Sequence, residues 1–163
     1  MINKDYKDII LGYLAFWNNL DETQYVCGVL SVDLYGYPIE CRITNKIEID
    51  ENQKIYYGDS LKSYLIRKVI GTKIIEILDT PPDLILVNEH ECLYFREFID
   101  TPVISITETT NGEIDANGKE EDIKTFNSIP KQVIELDVYE PFNRLIKSIE
   151  NSFNTLNNED DSE

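Results

Sequence analysis

The sequence predicts an α/β (α+β) protein: a mixed sheet opened by three antiparallel strands and completed by alternating helices and parallel strands. Three observations carry this. Leu84-Ile85-Leu86-Val87 is a short apolar run launched by Pro81-Pro82-Asp83 and stopped by Asn88-Glu89-His90-Glu91, the pattern of a strand buried on both faces. A stretch of helical periodicity, Leu61 to Leu78, precedes it. Ahead of both, three segments carrying β-formers are separated by turn residues.

Taken in order, residues 1–8 are polar and read as a loose lead-in. Ile9 to Trp17 is long enough for a helix, but Gly12 interrupts it and Asn18-Asn19-Leu20-Asp21-Glu22 supplies a turn, so a strand over Leu11 to Asn18 is predicted. Tyr25 to Asp33 carries Val26, Val29 and Val32 and forms the second strand. Leu34-Tyr35-Gly36-Tyr37 turns the chain into a third strand, Pro38 to Thr44, whose first position tolerates the missing proline N–H. Lys46 to Tyr57 reads as a polar connection. Gly58-Asp59-Ser60 reads as a helix start, with Asp59 or Ser60 as the cap, and Leu61, Tyr64, Leu65, Ile70, Ile74, Ile77 and Leu78 follow at helical spacing. Thr80-Pro81-Pro82 ends that helix.

Beyond the central strand, His90 to Ile99 suits a short helix, and Thr101-Pro102 introduces a strand over Val103 to Ile106. Residues 107–122, with Asn111-Gly112 and Asn117-Gly118, read as a polar loop. Val133 to Leu136 suits either a last edge strand or a helix start. Pro141 fits a first helical turn, and Phe142, Leu145, Ile146, Ile149, Phe153 and Leu156 line one face of a final amphipathic helix. The organisation expected is one globular domain over 1–156, followed by a disordered acidic tail, 157–163.

The 163 residues suffice for one sizeable core. No apolar run approaches the roughly 20 residues of a bilayer span, and Met1-Ile2-Asn3-Lys4-Asp5 lacks the layout of a signal peptide, so no membrane association and a cytoplasmic location are expected. Cys27, Cys41 and Cys92 are odd in number, lack CxxC spacing and fall among apolar or strand-like residues. Buried thiols are therefore expected rather than a disulfide frame or a zinc site. A net charge of −16 opposes direct contact with phosphate backbones. Residues 107–122 hold six acids against one lysine and residues 159–163 hold four acids, yet the remainder is still acidic. Solubility accounts for most of this charge. Its functional alternative is a basic protein partner, or a tail that competes with nucleic acid.

The order of elements matches the ribonuclease H-like fold. Within it, Tyr56-Tyr57-Gly58 leading into a long helix, then Pro82-Asp83-Leu84-Ile85-Leu86-Val87-Asn88-Glu89-His90, resembles endonuclease V. Thr101-Pro102-Val103-Ile104-Ser105-Ile106 is similar to that family's next strand, and the resemblance spans Leu11 to Ile106 with gaps. It implies a nuclease in which acidic residues hold a divalent metal beside the scissile phosphate, because hard cations need oxygen ligands and the metal activates water. At the positions the resemblance assigns to those acids, this chain has Tyr13, Leu14 or Ala15 on the first strand, Arg67 or Lys68 on the helix, and Asn88 after the central strand. Only His90 falls on a matching motif position.

The function expected is therefore a non-catalytic protein-interaction or scaffold module within a larger assembly, with no catalytic residues and no cofactor. Asn88, Glu89, His90 and Glu91 are the strand-end candidates for binding, since ligands of parallel sheets gather where strands end. The alternative is a divergent endonuclease V-type enzyme using magnesium or manganese on Asp33, Glu89 and Glu91; a small-ligand module at the strand ends is a third possibility. Against the metal alternative, Asp33 is suited to the Leu34–Tyr37 turn, and Glu89 and Glu91 to a helix start, where the dipole favours acids.

Overall fold

The computed structural model describes residues 2–70, 73–129 and 137–160. Among these, β1 (Leu11–Asn18), β2 (Gln24–Val32) and β3 (Pro38–Ile43) form the antiparallel opening, and β5 (Leu84–Val87) and β6 (Val103–Glu108) lie parallel to β1. The sheet runs β3-β2-β1-β5-β6-β7, with β7 (Ile114–Gly118) antiparallel to β6. A two-residue strand, β4 (Ile47–Glu48), continues the edge beside β2 after β3. Thr44 bridges that break: its N–H donates to the Cys27 carbonyl and its hydroxyl accepts from the Cys27 N–H. Strand order and directions are ribonuclease H-like, as the order of elements implied. The β6–β7 hairpin extends the sheet beyond them.

Both faces of the central strands are buried, which explains their unbroken apolar sequence. Side chains alternate across a strand, so Leu14 and Phe16 join Val29, Ile85 and Val87 on one face, under Leu65, Ile66 and Ile74. Leu11, Tyr13 and Ala15 join Leu84, Leu86 and Ile104 on the other, under Phe142, Leu145 and Ile149 of α5 (Glu140–Asp160). Helix α5 passes so close that a Cβ on Gly28 would come within 2.9 Å of both Leu145 and Ile149. It is anchored at its start, where the buried Tyr13 hydroxyl donates to the Val138 carbonyl at 2.6 Å and the Tyr13 ring meets Phe142 edge-on at 4.9 Å. Asp83 ties β5 to β1: its carboxylate accepts from the Ile10 N–H at 2.9 Å and pairs with Lys4.

Several expectations are corrected. Lys46 to Tyr57 is not a plain connection; it holds β4 and a helix, α1 (Glu51–Tyr57), started by an Asp50–Gln53 capping box. The predicted cap at Asp59 or Ser60 is instead a 3₁₀ turn, Gly58–Ser60, inside a longer helical path. Gly58 has φ 51°, which breaks the helix, and Tyr57 and Tyr64 stack at 4.4 Å across the break. The path continues as α2 (Leu61–Tyr64), a π-helical segment over Leu65–Ile70, and α3 (Lys73–Glu76).

Residues 107–122 are no loop: they contain the end of β6, all of β7 and the start of α4 (Glu120–Asn127). Helix α5 continues through Asp160, so residues 157–160, expected in a disordered tail, are helical. Cys27 and Cys92 are buried as expected, but Cys41 on edge strand β3 is exposed, and all three thiols are free. Val133 to Leu136 and residues 161–163 lie outside the described residues. Among those described, no helix is long and apolar enough to cross a membrane.

Candidate functional site

The register separates the residues proposed as a displaced metal cluster. Leu11 pairs with both Val32 and Leu84, so Asp33 sits at the amino ends of the parallel strands. Glu89 and Glu91 follow Val87, at the opposite end of β5. The Asp33 carboxylate accepts from the N–H groups of Tyr35 and Tyr37, both at 2.9 Å, which is turn chemistry. Asp33, Glu89 and Glu91 thus do not converge, and the described residues include no group of three or more His, Cys, Asp or Glu placed to hold a metal ion. His90 and Glu91 open a 3₁₀ segment, His90–Glu97, with both residues exposed.

At the carboxyl ends of β1 and β5 the chain assembles a different constellation. The half-buried Glu89 carboxylate pairs with the Lys62 ammonium, which also lies 5.9 Å from the centre of the Phe16 ring. Burial works against the Lys62 charge, but the hydrogen bond and the negative charge of Glu89, with Glu91 adding to them, hold its pKa above the ordinary lysine value. Because the folded value is the higher one, the pair's contribution to stability is full below about pH 10 and is lost as pH rises through the folded pKa. The Glu89→Gln protein should therefore show a Lys62 pKa lower than wild type, since burial remains and its largest compensation is gone. NMR titration of ¹³C-dimethylated lysines checks this, and an unchanged pKa contradicts the pairing.

The positions assigned to acids by resemblance carry no carboxylate. Tyr13, Leu14 and Ala15 are buried in the two core layers. Arg67 lies over the Tyr94 ring, 3.8 Å from its centre, and approaches Glu97 at 3.9 Å; the side chain of Lys68 lies outside the described residues. Asn88 is half-buried directly after β5. Cys92, the thiol nearest this strand end in sequence, has its pKa pushed up to about 12 by burial and the Glu89 charge, so it stays a neutral thiol rather than a nucleophile.

Beside Lys62 opens a cleft of about 360 Å³, lined by Asn18, Glu22, Tyr25, Lys54, Gly58, Asp59, Leu61 and Lys62. It lies between the β1–β2 hairpin and the start of α2. Asn19 organises the hairpin, its side-chain oxygen accepting from the N–H groups of Thr23 and Gln24. Lys54 reaches from α1 to the Asp21 carbonyl and closes one side. Burial and the Glu22 charge raise the Tyr25 pKa, opposed by Lys62. Of the strand-end candidates, Glu89 pairs directly with Lys62 at the edge of this region, and Glu91 acts on Lys62 through its charge. Lys62 itself reads in the sequence as one of several helix-surface lysines, and nothing local signals a partner 27 positions away.

No family model matches the chain, and no curated protein matches it. Among solved structures, it is similar to endonuclease V of Bacillus subtilis, with 19% identity over 62% of this chain and 44% of that one, at a TM-score of 0.41. It is also similar to Ciona intestinalis endonuclease V bound to inosine-containing DNA, with 10% identity over 76% and 56% of the two chains and a TM-score of 0.37. Marinitoga piezophila Argonaute bound to a guide RNA aligns at 16% identity over 71% of this chain and 19% of that one, with a TM-score of 0.35. The chain thus spans less than two thirds of the length of each. These superpositions are partial; the strand order and directions carry the fold.

Proposed function

We propose that the chain is a non-catalytic protein-interaction or scaffold module with a ribonuclease H-like fold, working within a larger protein assembly and needing no cofactor. The observation that carries this reading is the Lys62–Glu89 ion pair at the strand ends. A divalent cation requires several oxygen ligands around it. Here the half-buried carboxylate of the strand end is already neutralised by an ammonium, and Tyr13, Leu14 and Ala15 of the first strand are buried in the core and offer no carboxylate. A cation entering there would have to displace Lys62 against its own repulsion. The net charge of −16 further disfavours direct nucleic-acid contact and favours a basic protein partner.

Affinity capture of the chain from its native cell, with nuclease present throughout, tests the reading. A stoichiometric protein partner that survives nuclease treatment is the expected result. Recovery of the chain alone, or of nucleic acid lost on digestion, contradicts it.

A further inference from the structure

Helix α1 buries none of its seven residues, although it contains Ile55, Tyr56 and Tyr57. Ile55 is 76% exposed and Tyr56 87% exposed, and Leu20 at the adjoining hairpin tip is fully exposed. The Lys54 bond to the Asp21 carbonyl holds the hairpin tip to α1, and the cleft lined by Glu22, Lys54, Gly58 and Asp59 opens where they meet, with Ile55 and Tyr56 following Lys54 in the chain and Leu20 preceding Asp21. A helix of this length gains little from propensity and is normally held by packing its apolar face. Here Tyr57 alone packs against the core, while Ile55 and Tyr56 stay uncovered among the described residues.

The charges around the cleft say what the cover is. Its two lysines are committed elsewhere, Lys54 to the Asp21 carbonyl and Lys62 to Glu89. Glu22 and Asp59, which also line it, make no ion pair among the described residues. Free carboxylates beside exposed apolar side chains, on a chain of net charge −16, attract a cationic amphipathic surface. The same charge opposes a second copy of this chain as the occupant.

We infer that the face formed by Leu20, Ile55 and Tyr56 docks a basic amphipathic segment of a partner protein, which places a lysine or arginine into the cleft between Glu22 and Asp59. This deepens, and rests on, the interaction-module reading. Apolar anchors would supply the affinity, and the two carboxylates the orientation and salt dependence.

The test places a photo-crosslinking benzoylphenylalanine at Tyr56 of the full chain in its native cell, with a second protein carrying it at Tyr37, beside the opposite end of the sheet. The expected result is an adduct from position 56 to a protein segment with an excess of Lys and Arg, mapped by mass spectrometry. Its yield should fall about tenfold in Glu22→Gln/Asp59→Asn, as expected for two partly exposed ion pairs, and it should vanish in Ile55→Glu. Circular dichroism of these surface variants confirms that they remain folded. A protein adduct from position 37 alone overturns the docking face and spares the module reading. An adduct from position 56 to nucleic acid, to a second copy or to an acidic segment overturns the inference, and absence of a protein adduct from both positions counts against both.

Discussion

Replacing Asp122 by alanine should destabilise the protein by about 3–5 kcal/mol, the cost of removing one partner of a buried ion pair. Asp122 is only 1% exposed. Its carboxylate accepts from Arg96 Nε at 2.8 Å and from the Val103 N–H at 3.2 Å, so one side chain joins the 3₁₀ segment, the start of β6 and α4. Arg96 also donates to the Ile99 carbonyl and to the exposed Glu121 carboxylate, which hold the guanidinium in place when Asp122 is lost but cannot replace the buried acceptor of Nε and of the Val103 N–H. Asp122→Asn keeps an oxygen acceptor and should cost less than the alanine. Urea denaturation of the three proteins measures the order; a loss below about 1 kcal/mol for alanine would show that the site relaxes or hydrates.

Phe142→Ala should cost a similar amount, about 3–5 kcal/mol, because deletion of a large buried aromatic leaves a cavity that a well-packed core fills only in part. Phe142 is fully buried against Tyr13, and Tyr139 packs on it at 5.3 Å between ring centres. The loss should extend beyond local packing, since Phe142 opens the α5 face that covers Leu11, Tyr13, Leu84 and Leu86. Thermal unfolding of Phe142→Ala and Phe142→Leu separates cavity volume from aromatic contact. Equal midpoints for Phe142→Ala and wild type would contradict the role of α5 as the cover of this layer.

The strands of the sheet's centre were legible because their burial is written locally. β1 and β5 have the predicted bounds, each an apolar run closed by turn residues. The Asp33 turn was legible for the same reason, as its partners are two and four residues away. β7 was not: Ile114–Gly118 is an exposed edge strand, and pairing by backbone alone leaves no apolar alternation to read. α1 was missed because its seven residues make only about two turns, too few for an apolar period to stand out, and Ile55 and Tyr56 stay exposed. Asp122 looked like one more acid in a charged run, since its partner Arg96 lies 26 positions earlier and meets it only through the packing of α4 on β6. The absence of acids from the first-strand position (Tyr13, Leu14 or Ala15), the helix position (Arg67 or Lys68) and Asn88 was plain in the sequence. The ion pair that closes the region depends on the placement of Lys62 beside β5 and was not.

Whether the Lys62–Glu89 pair occupies the strand end in place of a metal centre is decided by a cleavage assay. Purified protein is incubated with single- and double-stranded DNA and RNA in magnesium or manganese, alongside Asp33→Ala and Glu89→Ala. No products are expected from any of the three proteins. Metal-dependent cleavage by wild type that disappears in Glu89→Ala would contradict this and make Glu89 a metal ligand.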